Sequence, residues 1–226
     1  MRLRQTLRRY HVWLAWIVGV PLLLWTASGV FMAVFPIERV RGEHLIAAAP
    51  TLAVSAPPVA PAIGPRPVAS LKLEPQGGVA RWIVYYADGG MRRADPADGR
   101  LLPPVDAAEA RALVEARYTG NARIVAVDRI ASEAPPLEFR RPVAAWRVGF
   151  DDGARIYVAA DSGEIVARRT TLWRAFDFMW GLHIMDLQTR EDMGNPWLIG
   201  FGALSVLSIL MALVLLPISV WKRRRG

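Results

Sequence analysis

Cysteine is absent from the 226 residues. Disulfides, thiolate metal sites, iron–sulfur clusters and cysteine nucleophiles are therefore excluded. Histidine is almost as scarce, with His11, His44 and His183 as its three members. No Gly-rich phosphate loop follows a strand and opens a helix, and Ser162 sits in turn chemistry and not in a nucleophile elbow, so nucleotide binding and serine catalysis have no support. Asp151, Asp152 and Asp161 read as turn formers, not as a cation site. An independent enzyme is the weakest reading. Charge of one sign is missing everywhere except the ends. The formal charge of +8 resides in Arg2, Arg4, Arg8 and Arg9 and in Lys222, Arg223, Arg224 and Arg225, between which bases and acids balance. A nucleic-acid partner would need a basic face on the folded domain, whereas basic tails beside apolar runs suit a membrane surface.

Two such runs are present: residues 12–35 and 196–221 carry no charged side chain. Each exceeds the roughly 20 helical residues that cross a hydrocarbon core of about 30 Å. The first also exceeds the usual apolar stretch of a signal peptide, which favours a retained span over cleavage near Ala47-Ala48-Ala49. The expected order begins with a cytoplasmic basic tail over 1–11 and a transmembrane helix over 12–35. It closes with a second transmembrane helix over 196–221 and a basic tail over 222–226. The positive-inside rule puts both termini in the cytoplasm and the long loop in the bacterial periplasm, giving a two-pass protein of the inner membrane. Trp13, Trp16 and Trp221 would mark the inner boundary, and Trp173, Trp180 and Trp197 the outer one. Asn195 and Pro196 form a helix start. Pro21 should kink the first span, and the small residues Gly29 and Ala33, and Gly202, Ser205, Ser208 and Ala212, should let the helices approach closely or pair with a second copy.

Between the spans, residues 36–67 read as a linker, with six prolines after position 49. Alternating apolar runs predict strands over 79–86, 123–130, 144–150, 154–159 and 164–167, separated by Asp-Gly and related turns. A helix is expected from Ala107 to Tyr118, capped by Asp106 with Glu109 three residues on. An internal repeat appears at an offset of 64: Trp82, Val84, Asp88, Gly89 and Gly99 align with Trp146, Val148, Asp152, Gly153 and Gly163. The fold class expected is an α+β membrane protein, two transmembrane helices flanking an ectodomain of antiparallel sheet with a packed helix. The first copy, over 68–105, would be degenerate, its helix lost or replaced by the proline-rich stretch. The second would cover 106–169, and an amphipathic interfacial helix would follow over 170–187.

The stretch 107–169 resembles the PepSY domain, through the hairpin Arg155-Ile-Tyr-Val-Ala-Ala-Asp-Ser-Gly-Glu-Ile-Val166. The segment 172–186, Arg9-Tyr-His-Val-Trp13 and Trp25-Thr-Ala-Ser-Gly29 are similar to PepSY-associated transmembrane proteins. The resemblance implies an ectodomain of PepSY-like units and a role in periplasmic redox or iron handling, as an accessory or b-haem-bearing electron-transfer subunit with a flavin- or haem-containing partner. It makes His11 and His183 candidate axial ligands, with Met179 and Trp180 beside the outer one in an apolar wall that includes Trp173 and Phe176. The plainer reading of each histidine is an interfacial side chain bonded to a headgroup or a backbone carbonyl. Helical rise over the span would separate the two histidines by more than about 30 Å, so they cannot share one iron. A homodimer or larger membrane complex would supply further ligands. The competing function is a cofactor-free, membrane-anchored module that regulates a periplasmic protein such as a peptidase through strand addition.

Overall fold

A computed structural model describes residues 2–52 and 56–223. Arg224 and Arg225 of the basic tail lie outside the described residues, as do the side chains of Arg2, Arg4, Lys222 and Arg223. The chain forms two compact units, Met1–Pro36 with Ala175–Gly226, and Ile37–Arg174.

The helical unit holds α1 (Arg2–Val34), the larger part of α4 (Thr171–His183) and α5 (Pro196–Arg223). Two helices are long and apolar enough to cross a membrane, over Gln5–Val34 and Pro196–Leu216, and little of either is covered by protein. Pro21 lies within α1 without ending it. Burial on α1 recurs at Leu7, His11, Leu14, Val18 and Pro21, the spacing of one helical face, and α1 packs on α5. The more covered α5 face is Leu198, Gly202, Ser205, Ser208 and Ala212, with Ser205 and Ser208 buried, whereas a Cβ on Gly202 would meet nothing within 4 Å. Gly29 serves a different neighbour, described below.

The second unit carries two antiparallel sheets. The first is β1 (Val68–Gln76), β2 (Val79–Tyr86) and β3 (Met91–Ala94) in that order. The second is β4 (Ile124–Ile130), β5 (Ala145–Phe150), β6 (Arg155–Ala159) and β7 (Ile165–Arg169), also in sequence order. Short α2 (Ile37–Val40) opens the unit, and α3 (Ala107–Glu115) precedes β4. Asp106 caps α3 by accepting the Glu109 N–H at 2.8 Å. The apolar face of α3, Ala110, Leu113 and Val114, is buried with Val148, Phe150, Ile156 and Val158 of the second sheet. Burying side chains of that size contributes about 1.5–3 kcal/mol each. The opposite face of the sheet is closed by the 131–144 loop, where Phe139 stacks on Tyr157 with ring centroids 4.5 Å apart.

The repeat has a hydrogen-bonded counterpart. Trp82 donates its indole N–H to the Val59 carbonyl at 2.8 Å, and Trp146 donates to the Val105 carbonyl at 2.7 Å. The Val59 N–H bonds Pro96 O as the Val105 N–H bonds Ala160 O. The β1–β2 pairing shifts register between Val68 and Ser70, and β4–β5 shifts between Ile124 and Ala126. The proline-rich stretch is therefore not a free spacer. Its Val59–Ala62 part is tied by Val59 N–H to Pro96 O and Ala62 N–H to Gly99 O, and it stands where the lead-in to α3 stands in the second copy. Upstream, Leu45 and Ile46 belong to the core of the second sheet, so residues 37–49 are also part of the folded unit and not linker.

Candidate functional site

His183 ends α4, and α1 supplies its seat. The imidazole stacks on Trp25 with centroids 4.5 Å apart and planes 18° from parallel. Its Nδ1 lies 3.0 Å from the Trp25 carbonyl oxygen and 3.1 Å from Ser28 Oγ. A carbonyl only accepts, so the first contact places the proton on Nδ1 and leaves the lone pair on Nε2. Ser28 is 1% exposed and also donates to Trp25 O. A Cβ on Gly29 would lie 3.2 Å from His183 Cε1, so glycine at this position makes room for the ring. The plainer sequence reading, a histidine bonded to a backbone carbonyl, describes this contact.

His11 differs in every respect. Its Nδ1 is buried and has no hydrogen-bond partner. A buried polar nitrogen left unpaired costs about 1–3 kcal/mol, so it points to a missing partner. The side chain closes one end of a groove of about 380 Å³ along α1, floored by Ala15 and Gly19 and flanked by Val12, Trp16 and Leu23. A Cβ on Gly19 would meet nothing within 4 Å, which shows how open the floor is.

The two histidines stand at different levels of one helix. His183 seats on Trp25–Gly29, 14 to 18 residues from His11, which is about 21–27 Å at the helical rise. That is shorter than the separation expected from the charge-free run, because His183, at the end of α4, seats beside Trp25 and Ser28 and not beyond the end of α1. One metal ion still cannot touch both. Met179 lies one turn before His183, and Trp180 is spent on a hydrogen bond from its indole to the Arg190 carbonyl at 3.0 Å. Trp173, Phe176, Met179 and Trp180 are half-buried along one face of α4, and Arg169 lies over the Trp173 ring at 4.0 Å. His44 has its backbone carbonyl bonded by Thr119 and its side chain in no cluster. Among the described residues, no three metal-ligating side chains of the His, Cys, Asp or Glu type come together.

Sequence reasoning read Asn195 as the cap of α5 but passed over the rest of the strap 184–195 that joins α4 to α5. Asp186 accepts the backbone N–H groups of Gln188, Thr189, Glu191 and Asp192 and the Thr189 hydroxyl. These donors, led by the Thr189 hydroxyl, hold its carboxyl far below the usual range. Buried Asp177 takes Arg190 Nη1 at 2.5 Å, and Gly181 leaves room for the Arg190 stem. Asn195 donates to the Ile184 and Asp192 carbonyls while its Oδ1 caps α5 at Leu198 N–H. The signal was present: a carboxylate followed three residues later by threonine, then Gly-Asn-Pro before an apolar run. Strap and helices enclose a cleft of about 770 Å³ whose walls include Val20, Pro21, Leu24, Met185 and Trp197.

No known family matches the chain, and no curated protein or solved structure matches it.

Proposed function

We propose that this protein is an inner-membrane subunit with a PepSY-like periplasmic ectodomain, serving redox or iron handling as an accessory or b-haem-bearing electron carrier. The observation that carries the reading is His11: an orphaned, buried Nδ1 beside an apolar groove floored by two small residues. Such a groove suits a flat apolar group, and the donor chemistry fits haem iron. His183 fits the same chemistry in another way, because a ligating histidine commonly gives its other N–H to a carbonyl. Bound haem would supply one-electron chemistry. The chain's own residues would hold one group at each histidine, exclude water with Trp16 and Leu23 at the first, and fix the imidazole with Trp25 and Ser28 at the second. Each group's second ligand would come from another copy or subunit.

The test is an oxidised-minus-reduced absorption spectrum of the protein purified from haem-replete cells. Soret and α-band changes are expected, reduced by half or more in His11→Ala. A colourless preparation, or a spectrum untouched by both His11→Ala and His183→Ala, overturns the reading.

A second reading, the cofactor-free regulatory module, rests on β4. It is an edge strand with Val125 65% exposed, open to an added strand from a peptidase or similar partner. A colourless protein that inhibits a periplasmic peptidase, and loses that inhibition in Val125→Pro, is the result that selects it.

A further inference from the structure

One cleft of the helical unit is lined by neither histidine. It is a cleft of about 770 Å³, within the range that buries a small ligand. Val20, Pro21 and Leu24 of α1, with Leu182, Met185 and Trp197, make its apolar walls. Its rim is polar and belongs to the strap, with Asp186, Gln188, Thr189, Asp192 and Asn195.

Most of that rim is already committed. Asp186 is saturated by four backbone N–H groups and a hydroxyl, and Asn195 by three bonds. Asp192 is different: Oδ1 accepts the Gly194 N–H at 2.9 Å and Oδ2 retains its accepting capacity. The rim thus offers a carboxylate to a donor. It also repels a phosphate, because Asp186 and Asp192 are both acids and the strap's one base, Arg190, is tied to Asp177. Glycerophospholipid headgroups carry that phosphate. The exposed Gln188 amide both donates and accepts, so an apolar cleft beneath a rim of net negative charge favours a tail-bearing molecule whose head is uncharged and donates hydrogen bonds.

We propose that the cleft between Val20, Pro21, Leu24, Met185, Asp192 and Trp197 binds an uncharged hydroxyl-headed amphiphile of the isoprenoid quinol class. A quinol hydroxyl donates to Asp192, the ring lies against Trp197, and the tail follows Pro21 and Leu24. The site is separate from the haem reading, and a haem-free protein retains it.

The experiment titrates full-length protein in detergent with a decyl-tailed quinol and follows tryptophan fluorescence. Saturable quenching is expected, and most of it should vanish in Trp197→Phe. Leu24→Trp fills the cleft and should weaken binding by about tenfold or more. Asp192→Asn keeps the shape and should weaken the quinol by about tenfold, the effect of one hydrogen bond to a charged group, while leaving the donor-free quinone unchanged. Three results would overturn the proposal. One is quenching that never saturates, another is quinol affinity unaltered in Asp192→Asn, and the third is displacement by phosphatidylglycerol at equal concentration, which would make the cleft a general lipid groove.

Discussion

The two halves of the sheet unit keep one set of hydrogen bonds and differ in almost everything else. In the second half, Trp146 donates to Val105 and also packs against the core cluster under α3. In the first, Trp82 makes the same bond to Val59, but the neighbouring chain is a proline-rich thread with no helix among its described residues. Backbone bonds and turns can therefore hold the shape of the repeat while the helix supplies the apolar mass. Loss of the helix removes burial, not topology.

The strongest way to break the comparison is to remove each tryptophan. Trp146→Ala should cost about 3–5 kcal/mol, as for other large core truncations, and Trp82→Ala about 1–2 kcal/mol. Chemical denaturation of the full chain, followed by far-ultraviolet circular dichroism, measures both. Equal losses would mean that the thread buries as much as the helix.

The glycine turns give the reverse asymmetry. Gly99 and Gly163 both have φ of 73°, so alanine strains either. At Gly99 the added Cβ would stand 2.2 Å from the Ala60 carbonyl oxygen, which is backbone, whereas at Gly163 it would stand 3.1 Å from the side-chain amide oxygen of Gln76, a longer approach to a side chain. Gly99→Ala should cost about 2–3 kcal/mol and expose the thread to limited proteolysis, against about 1 kcal/mol for Gly163→Ala.

The second half also has a buried carboxylate on the face that the 131–144 loop covers. Burial pushes the Glu138 carboxyl up, but hydrogen bonds from Arg155 and Tyr157 outweigh it and leave the group below its ordinary value. A carboxyl whose folded value is depressed contributes stability that is complete above its unfolded value, near pH 4.5, and is lost as pH falls through the folded value. Wild-type melting temperature should fall on acidification below about pH 4.5, and Glu138→Gln should flatten that fall while costing about 2 kcal/mol at neutral pH. An unchanged acid slope in the variant would remove Glu138 from the account. The smallest expected effect is Asp106→Ala, about 1 kcal/mol for a lost helix cap, read by the same denaturation; the first half has no such cap to lose.

How much of this was legible in the sequence depended on whether a residue's partner was local. The strands 79–86 and 124–130, the Asp106 cap and the Asp-Gly turns follow from alternation and short-range chemistry, and the folded chain has them. Strand β1 was hidden by Pro75, and β3 by its two arginines. Arg93 is 4% exposed in β3 because Glu109 of α3 and the Pro103 carbonyl satisfy it, a pairing no window of sequence reveals. The histidines were legible as candidates only. That His183 seats on Trp25 and Ser28 rests on contacts between residues far apart in the chain, and that the His11 Nδ1 is buried without a partner is a property of the fold that no window of sequence shows.

Val59 is matched by Val105, and Pro67 by Arg123. Pro67 O accepts the Ala87 N–H as Arg123 O accepts the Asp151 N–H, so each repeat hangs its variable piece between two fixed posts. Whatever bridges the posts, whether a bare thread or a capped helix, is cargo to the sheet. A graft at that position, from a reporter peptide to a whole module, has two natural attachment points already in the frame.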